Sequence, residues 1–282
     1  MHPDNLDVLR GSGDHVNGPT QSVAKMVPCT TSRNEVLMTA EAWFERELEQ
    51  LRRNSEAAIQ FLYAWLSFHA CAGDSQEIRR AINRTPLFWN TSLGALQTSL
   101  FIALGRIFDL DPKSHSLEAI LLIVEKNPGI FSRPSLARRK AQQSPGAPWI
   151  DEYVQNAYVP DVSDFRRIRR FAQSRRSVYD KAYKKIRNKV FAHSGIATRL
   201  QSDELFGSTK IGELQRLVLS LRNLQETLYQ LYMNGRKPQA MKVRYGVTAL
   251  RRAASRNDHY SLPVQERIVV EAFKLLRSLS TA

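Results

Sequence analysis

Cysteine is scarce in this chain. Cys29 and Cys71 are the only two among 282 residues, no CxxC pair exists, and no second His/Cys cluster lies near either. That excludes a disulfide framework and a structural zinc site, and leaves two thiols in a reducing compartment. There is no HExxH run and no cluster of carboxylates, so metal-dependent hydrolysis has no ligand set, and neither a metal nor a cofactor is expected. No nucleophile motif marks a serine or cysteine triad. The first twenty residues have no apolar stretch of the signal-peptide kind, and no apolar run reaches transmembrane length. The expectation is a cytoplasmic protein without membrane contact. Gly11, Gly13 and Gly18 resemble a phosphate loop only faintly, because no strand precedes them and no apolar helix follows.

Acidic residues are also in short supply. Asp and Glu number 27 against 41 Lys and Arg, a formal charge of +14, while hydrophobic residues make up an ordinary 43%. Such an imbalance says little about fold, but it favours an anionic partner, nucleic acid before a membrane surface.

Periodicity argues for an all-α chain. Residues 1–36 mix Gly, Pro, Asn, Ser and Thr without period and read as a mobile arm. A long helix is expected over Thr39–Ala70, apolar on most sides and so central in a bundle. Asp74-Ser-Gln-Glu77 reads as a capping box for the next helix, and Pro86 as an interruption or a new start. Leu96, Leu100, Leu104 and Ile107 give helical spacing down to Asp109, and Asp111-Pro112 marks a turn. Ser116 is the expected cap of a short helix, Leu117–Lys126. Residues 128–163 hold five of the twelve prolines and read as an irregular insertion with one short helix near Ser135–Gln142.

A basic helix is expected from Asp164 to about His193, with Phe165, Ile168, Ala172, Tyr179, Ala182, Ile186 and Val190 as its apolar stripe. Leu214, Leu217, Leu221, Leu224, Leu228 and Leu231 then form a heptad seam, capped by Gly235. Such a seam usually closes its own bundle; its alternative role is to meet a partner in a scaffold or antitoxin-binding protein. Val243–Val247 is a candidate short strand, and a last helix carries Val264, Ile268, Leu275 and Leu279. With no βαβ alternation and no repeat, this is an antiparallel helical bundle. The expected divisions are an arm (1–36), a helical domain (37–235) and a C-terminal helical extension (236–282).

The densest charge sits in the basic helix. Eleven Lys/Arg and two Asp lie between Asp164 and His193, a net +9 out of +14. One side of this amphipathic helix suits a polyphosphate; the alternative is a solvated face over a buried one. His193 closes the run 181–195, KAYKKIRNKVFAHSG. In a straight helix Arg187 and His193 are separated by about 600°, about 120° short of two turns, so they do not stack. Arg187 aligns with Tyr183 off to one side, and His193 with Ile186 and Val190. Ser194-Gly195 should end the helix, and a loosened last turn lets both line one groove. Histidine titrates near neutrality and suits acid–base work; RNA supplies its own 2′-hydroxyl nucleophile and needs a cation for the phosphorane charge. The alternative is a core or capping histidine.

The run from Arg187 to His193, RNKVFAH, resembles the arginine–histidine signature of the HEPN superfamily, the higher-eukaryote and prokaryote nucleotide-binding helical domains. Leu104-Gly-Arg106-Ile-Phe-Asp109, followed by Ser116-Leu117, is similar to an earlier pattern in its abortive-infection AbiU-type branch. The resemblance covers roughly residues 40–235 in layout. It implies a helical bundle that pairs two motifs in a homodimeric cleft. It also implies a metal-independent endoribonuclease that leaves a 2′,3′-cyclic phosphate and acts as a toxin or antiviral effector, with a cognate antitoxin or defence partner. Carried over by position, Arg187 stabilises phosphate charge, His193 is the acid–base group, and Asn188 orients phosphate or histidine. Arg106 and Asp109 are supporting residues; Asp109 either pairs with Arg187 or caps a turn. Lys184, Lys185, Lys189 and Arg176 are the expected RNA contacts. The competing expectation is a non-catalytic RNA- or nucleotide-binding module.

Overall fold

The computed structural model describes residues 39–186, 210–239, 245–254 and 262–279. The expected arm, Cys29 and the glycines at 11, 13 and 18 lie outside them. Every described element is helical. The central helix α1 (Ala40–Asp74) is capped by Thr39, whose hydroxyl accepts from the Ala42 N–H. Its buried residues include Phe44, Leu51, Ile59, Leu62 and Leu66, and burying each such side chain is worth about 1.5–3 kcal/mol. Around it pack α3 (Pro86–Ile107), α4 (Leu117–Lys126), α8 (Ile211–Asn234) and α10 (Val264–Ser278). This is the bundle that the apolar patterning of Thr39–Ala70 demands.

Several local expectations shift. The cap of α2 (Gln76–Asn83) is Ser75, whose hydroxyl accepts from the Ile78 N–H and donates to Glu77; Asp74 ends α1 instead. Pro86 opens α3 and Ser116 caps α4. The proline-rich stretch read as irregular is largely helical: a 3-10 turn (Pro128–Phe131), α5 (Arg133–Gln143) and α6 (Ile150–Gln155). The reason is proline placement. Pro128 and Pro134 stand in first turns, where the missing N–H costs nothing. Val247, expected in a strand with Val243, begins a helix, α9 (Val247–Ala254); Val243 lies outside the described residues. On α10 the buried face is Val269, Phe273 and Leu276, while Leu275 of the expected stripe is exposed. That face joins the same core as α1, so the segment read as an extension shares the main hydrophobic cluster.

The leucine seam lies inside its own bundle: all six leucines are buried. The end of α8 is fixed from several sides. The Arg139 guanidinium of α5 lies 3.8 Å over the Tyr232 ring, donates to the Tyr232 carbonyl at 2.8 Å and pairs with Glu41 at 3.1 Å. Lys140 donates to Asn234, the Tyr153 hydroxyl donates to the Asn234 carbonyl, and the Tyr158 N–H donates to the Gly235 carbonyl. At the other end, the Tyr63 hydroxyl and the Gln215 amide both donate to the Tyr245 carbonyl.

Gly235 has φ +54°, and an added Cβ would stand 2.7 Å from the Ala157 Cβ and 2.9 Å from Leu136. Gly146 has φ +73° but open space around it. Gly235→Ala should therefore destabilise by about 2–3 kcal/mol, combining backbone strain with overpacking, and Gly146→Ala by only about 1 kcal/mol. Urea titration of the two variants checks the difference; equal losses would deny the close approach at 157.

Candidate functional site

The basic helix α7 (Val162–Val178) starts two residues earlier than its sequence suggests. Asp161 is the cap, accepting from the Ser163 and Asp164 N–H groups at 2.7 and 3.0 Å, and Asp164 accepts from the Asp161 N–H at 3.2 Å. The hydrogen bonds from Ser163 and Asp164 hold the Asp161 carboxyl below its ordinary range. Asp164, buried, also accepts from Arg167 and from the Tyr158 hydroxyl, which pushes the Tyr158 phenol up to about 12. Acceptors massed at the first turn complement the helix dipole there.

Beyond the cap, the cations divide. Arg169 is clamped to α4: Nη1 donates to Glu118 at 3.0 Å, Nη2 donates to Glu125 at 2.9 Å, and Nε also binds Glu125. Arg175 lies 4.9 Å over the Phe171 ring. Arg176, one of the expected RNA contacts, is half-buried 6.0 Å over Phe108, with Nη2 shielded and without a hydrogen bond. Lys184 and Lys185 are exposed; Lys184 makes a loose pair with Asp180 at 3.8 Å, worth little at such a site. Arg166, Arg170 and Lys181 are exposed too.

Helix α7 continues through a π-helical turn (Tyr179–Tyr183) into a further helical turn (Lys184–Ile186). π turns occur often at functional sites. Here one carries Tyr179 and Tyr183 together into the core. Tyr183, expected off to one side, is fully buried, and Ala182 of the expected stripe is half-buried. Burial drives the Tyr183 phenol well above its ordinary range. Tyr179 stacks on Phe108 at 4.7 Å, and Tyr183 lies 6.2 Å from Phe101. The end of α3, with Arg106 and Asp109 either side of Phe108, is thereby set against the turn that leads toward Arg187. Arg106 is exposed. One Asp109 carboxylate oxygen accepts from the Asp111 N–H at 3.1 Å, and Asp111 accepts from the Lys113 N–H at 2.9 Å, so both serve the turn. Arg187, Asn188, Lys189 and His193 lie outside the described residues. Ile186, immediately before Arg187, is fully buried.

One polar cluster has no signature in the sequence. His115 Nδ1 lies 2.6 Å from Glu47, which is buried with Oε2 unpartnered, and Arg46 Nη2 lies 3.1 Å from His115 Nε2. This pins the turn after α3 onto α1 across 68 residues of chain. Among the described residues, no group of three or more His, Cys, Asp or Glu side chains is placed to hold a metal ion, and no helix is long and apolar enough to cross a membrane.

An all-helical bundle, with a basic helix leading into an arginine–histidine run, defines a HEPN-type domain. The chain belongs to the HEPN AbiU2 family, whose sequence model matches residues 42–250. That match runs through the proline-rich segment and past Gly235 into α9. Comparisons with curated proteins and with solved structures returned no match.

The Arg169 clamp should be structural. Arg169→Gln is expected to cost about 1 kcal/mol, because two carboxylates lose a bidentate, largely shielded partner. Arg170→Gln, on the open face, should stay within about 0.5 kcal/mol of the unmutated protein. Denaturant midpoints of the two variants decide; equal stability would show that the clamp contributes nothing.

Proposed function

We propose that this protein is a metal-independent endoribonuclease of a toxin or antiviral-defence system, acting as a homodimer, with Arg187 and His193 as its reacting pair. The observation that supports this reading is the placement of the earlier family pattern against the helical segment from which the arginine–histidine run continues in sequence. The Leu104–Asp109 pattern packs, through Phe108, against Tyr179 of the π turn, which ends four residues before Arg187; Phe101, earlier on the same helix, faces Tyr183 of the same turn. Exposed cations of α7 upstream of the motif supply an attractive surface for a polyphosphate.

The chemistry needs no group beyond the chain and its substrate. His193, as general base, takes the proton of a ribose 2′-hydroxyl. The oxygen attacks the adjacent phosphorus, Arg187 faces the charge that develops on the phosphorane, and Asn188 orients the phosphate or the imidazole. The bond to the 5′-oxygen breaks, that oxygen takes a proton from the second His193 of the dimeric cleft, and the products are a 2′,3′-cyclic phosphate and a 5′-hydroxyl. A cognate antitoxin or defence partner would hold such an activity in check.

Purified protein should cleave labelled single-stranded RNA or tRNA in EDTA and leave cyclic-phosphate ends. His193→Ala should lose at least about 100-fold in rate, with its far-ultraviolet circular dichroism and melting temperature unchanged. Undiminished cleavage by that variant would remove His193 from the mechanism. Binding without cleavage by both proteins would replace the enzyme with an RNA-binding module.

A further inference from the structure

Two adjoining cavities open between α7, α8 and the segment that follows Gly235. The first, of about 210 Å³, has Ile168 and Leu224 as its floor, Phe171 and Asn223 as walls, and Arg167 at its rim. The second, of about 330 Å³, lies beside it, shares Thr227, Pro238 and Gln239, and is edged by Arg236 and Lys237. The two differ in chemistry. The first offers an aromatic face with an amide next to it; the second offers exposed cations.

The exposure of Phe171 is unusual for its setting. It is a large apolar ring, 37% exposed, on the most strongly charged helix of the chain. Arg175 already lies over it at 4.9 Å, and the Arg167 guanidinium, most of it in solvent, stands on the helical turn before it. An aromatic ring flanked by guanidinium groups is how proteins hold unpaired nucleobases: the ring stacks, the cations meet the backbone, and neither demands a particular base. Asn223 adds an amide carrying both donor and acceptor, able to meet a base edge. Among the described residues, Glu226 is the carboxylate that lines the second cavity; it accepts from Gln230 and faces Arg222 at 4.0 Å, so its charge is shared.

We infer that this double cavity is a nucleotide subsite for single-stranded RNA, with a base stacked on Phe171 beside Asn223 and its phosphate held by Arg236 and Lys237. The inference rests on the RNA reading above and deepens it, by naming where an unpaired nucleotide is gripped apart from the arginine–histidine motif. It makes the subsite a determinant of where along a strand the chain engages, and it requires the target to be unpaired there.

The test uses the full-length protein and a fluorescent single-stranded oligonucleotide, in anisotropy titrations at several salt concentrations. Phe171→Ala should weaken binding about five-fold or more and leave the salt slope unchanged, since no charge is removed. Phe171→Trp should bind at least as tightly as the unmutated chain. Arg236→Gln with Lys237→Gln should weaken binding and flatten the salt slope. An otherwise identical oligonucleotide made of abasic residues should bind no better to the unmutated chain than to Phe171→Ala. Because Phe171 is partly exposed, the variant is expected to fold, and its melting temperature confirms that. If the unmutated protein binds RNA and Phe171→Ala binds it equally well, the subsite is overturned while the RNA reading stands. If the unmutated protein binds no RNA, both fall together.

Discussion

The grip of Glu118 and Glu125 on Arg169 is the constraint that sets how the basic helix lies on the bundle. A helix with this much charge of one sign repels itself and resists lying on a bundle. Three devices counter that. Asp161 and Asp164 set acceptors at the first turn, α4 takes the guanidinium of Arg169 between two carboxylates, and the π turn sinks Tyr179 and Tyr183 beside Phe108 and Phe101. With the helix fastened along one side, the arginines of the other side stay free to face solvent. The clamp, more than the count of charges, turns a basic sequence into a basic surface.

Not all of the positive charge is available in this way. Arg139 and Lys140 are buried, one under the Tyr232 ring and the other against Asn234, and desolvation lowers the proton affinity of both. Arg176 leans back over Phe108. These cations act as internal struts. A net charge of +14 therefore overstates the surface that a polyanion would meet, and the informative quantity is which guanidinium groups already have an acceptor within the fold.

Much of the architecture was legible in the sequence because it follows from periodicity and caps. The leucine steps of α8, the Ser116 cap and the glycine after Asn234 depend on neighbours a few residues away, and pattern reading reaches that far. What escaped it depends on distant partners or on position within a turn. Prolines at 128 and 134 read as breakers, although in a first turn they are compatible with helix. Leu275 fits a helical stripe by spacing, but the face that α1 covers is the one bearing Val269, Phe273 and Leu276. The likeness between RNKVFAH and the HEPN signature was legible as chemistry at once. The packing of Phe108 on Tyr179, and the pairing of His115 with Glu47, were not, since each joins residues about 70 positions apart and no local rule links them.

The π turn has a consequence for how this helix tolerates change in length. It holds one more residue than an ordinary turn would. Deleting a single residue between Tyr179 and Tyr183 could be absorbed by relaxing that turn to α-helix, whereas the same deletion further downstream would have to rotate everything after it by about 100°. The segment acts as a slip joint, and insertions and deletions among relatives should collect there.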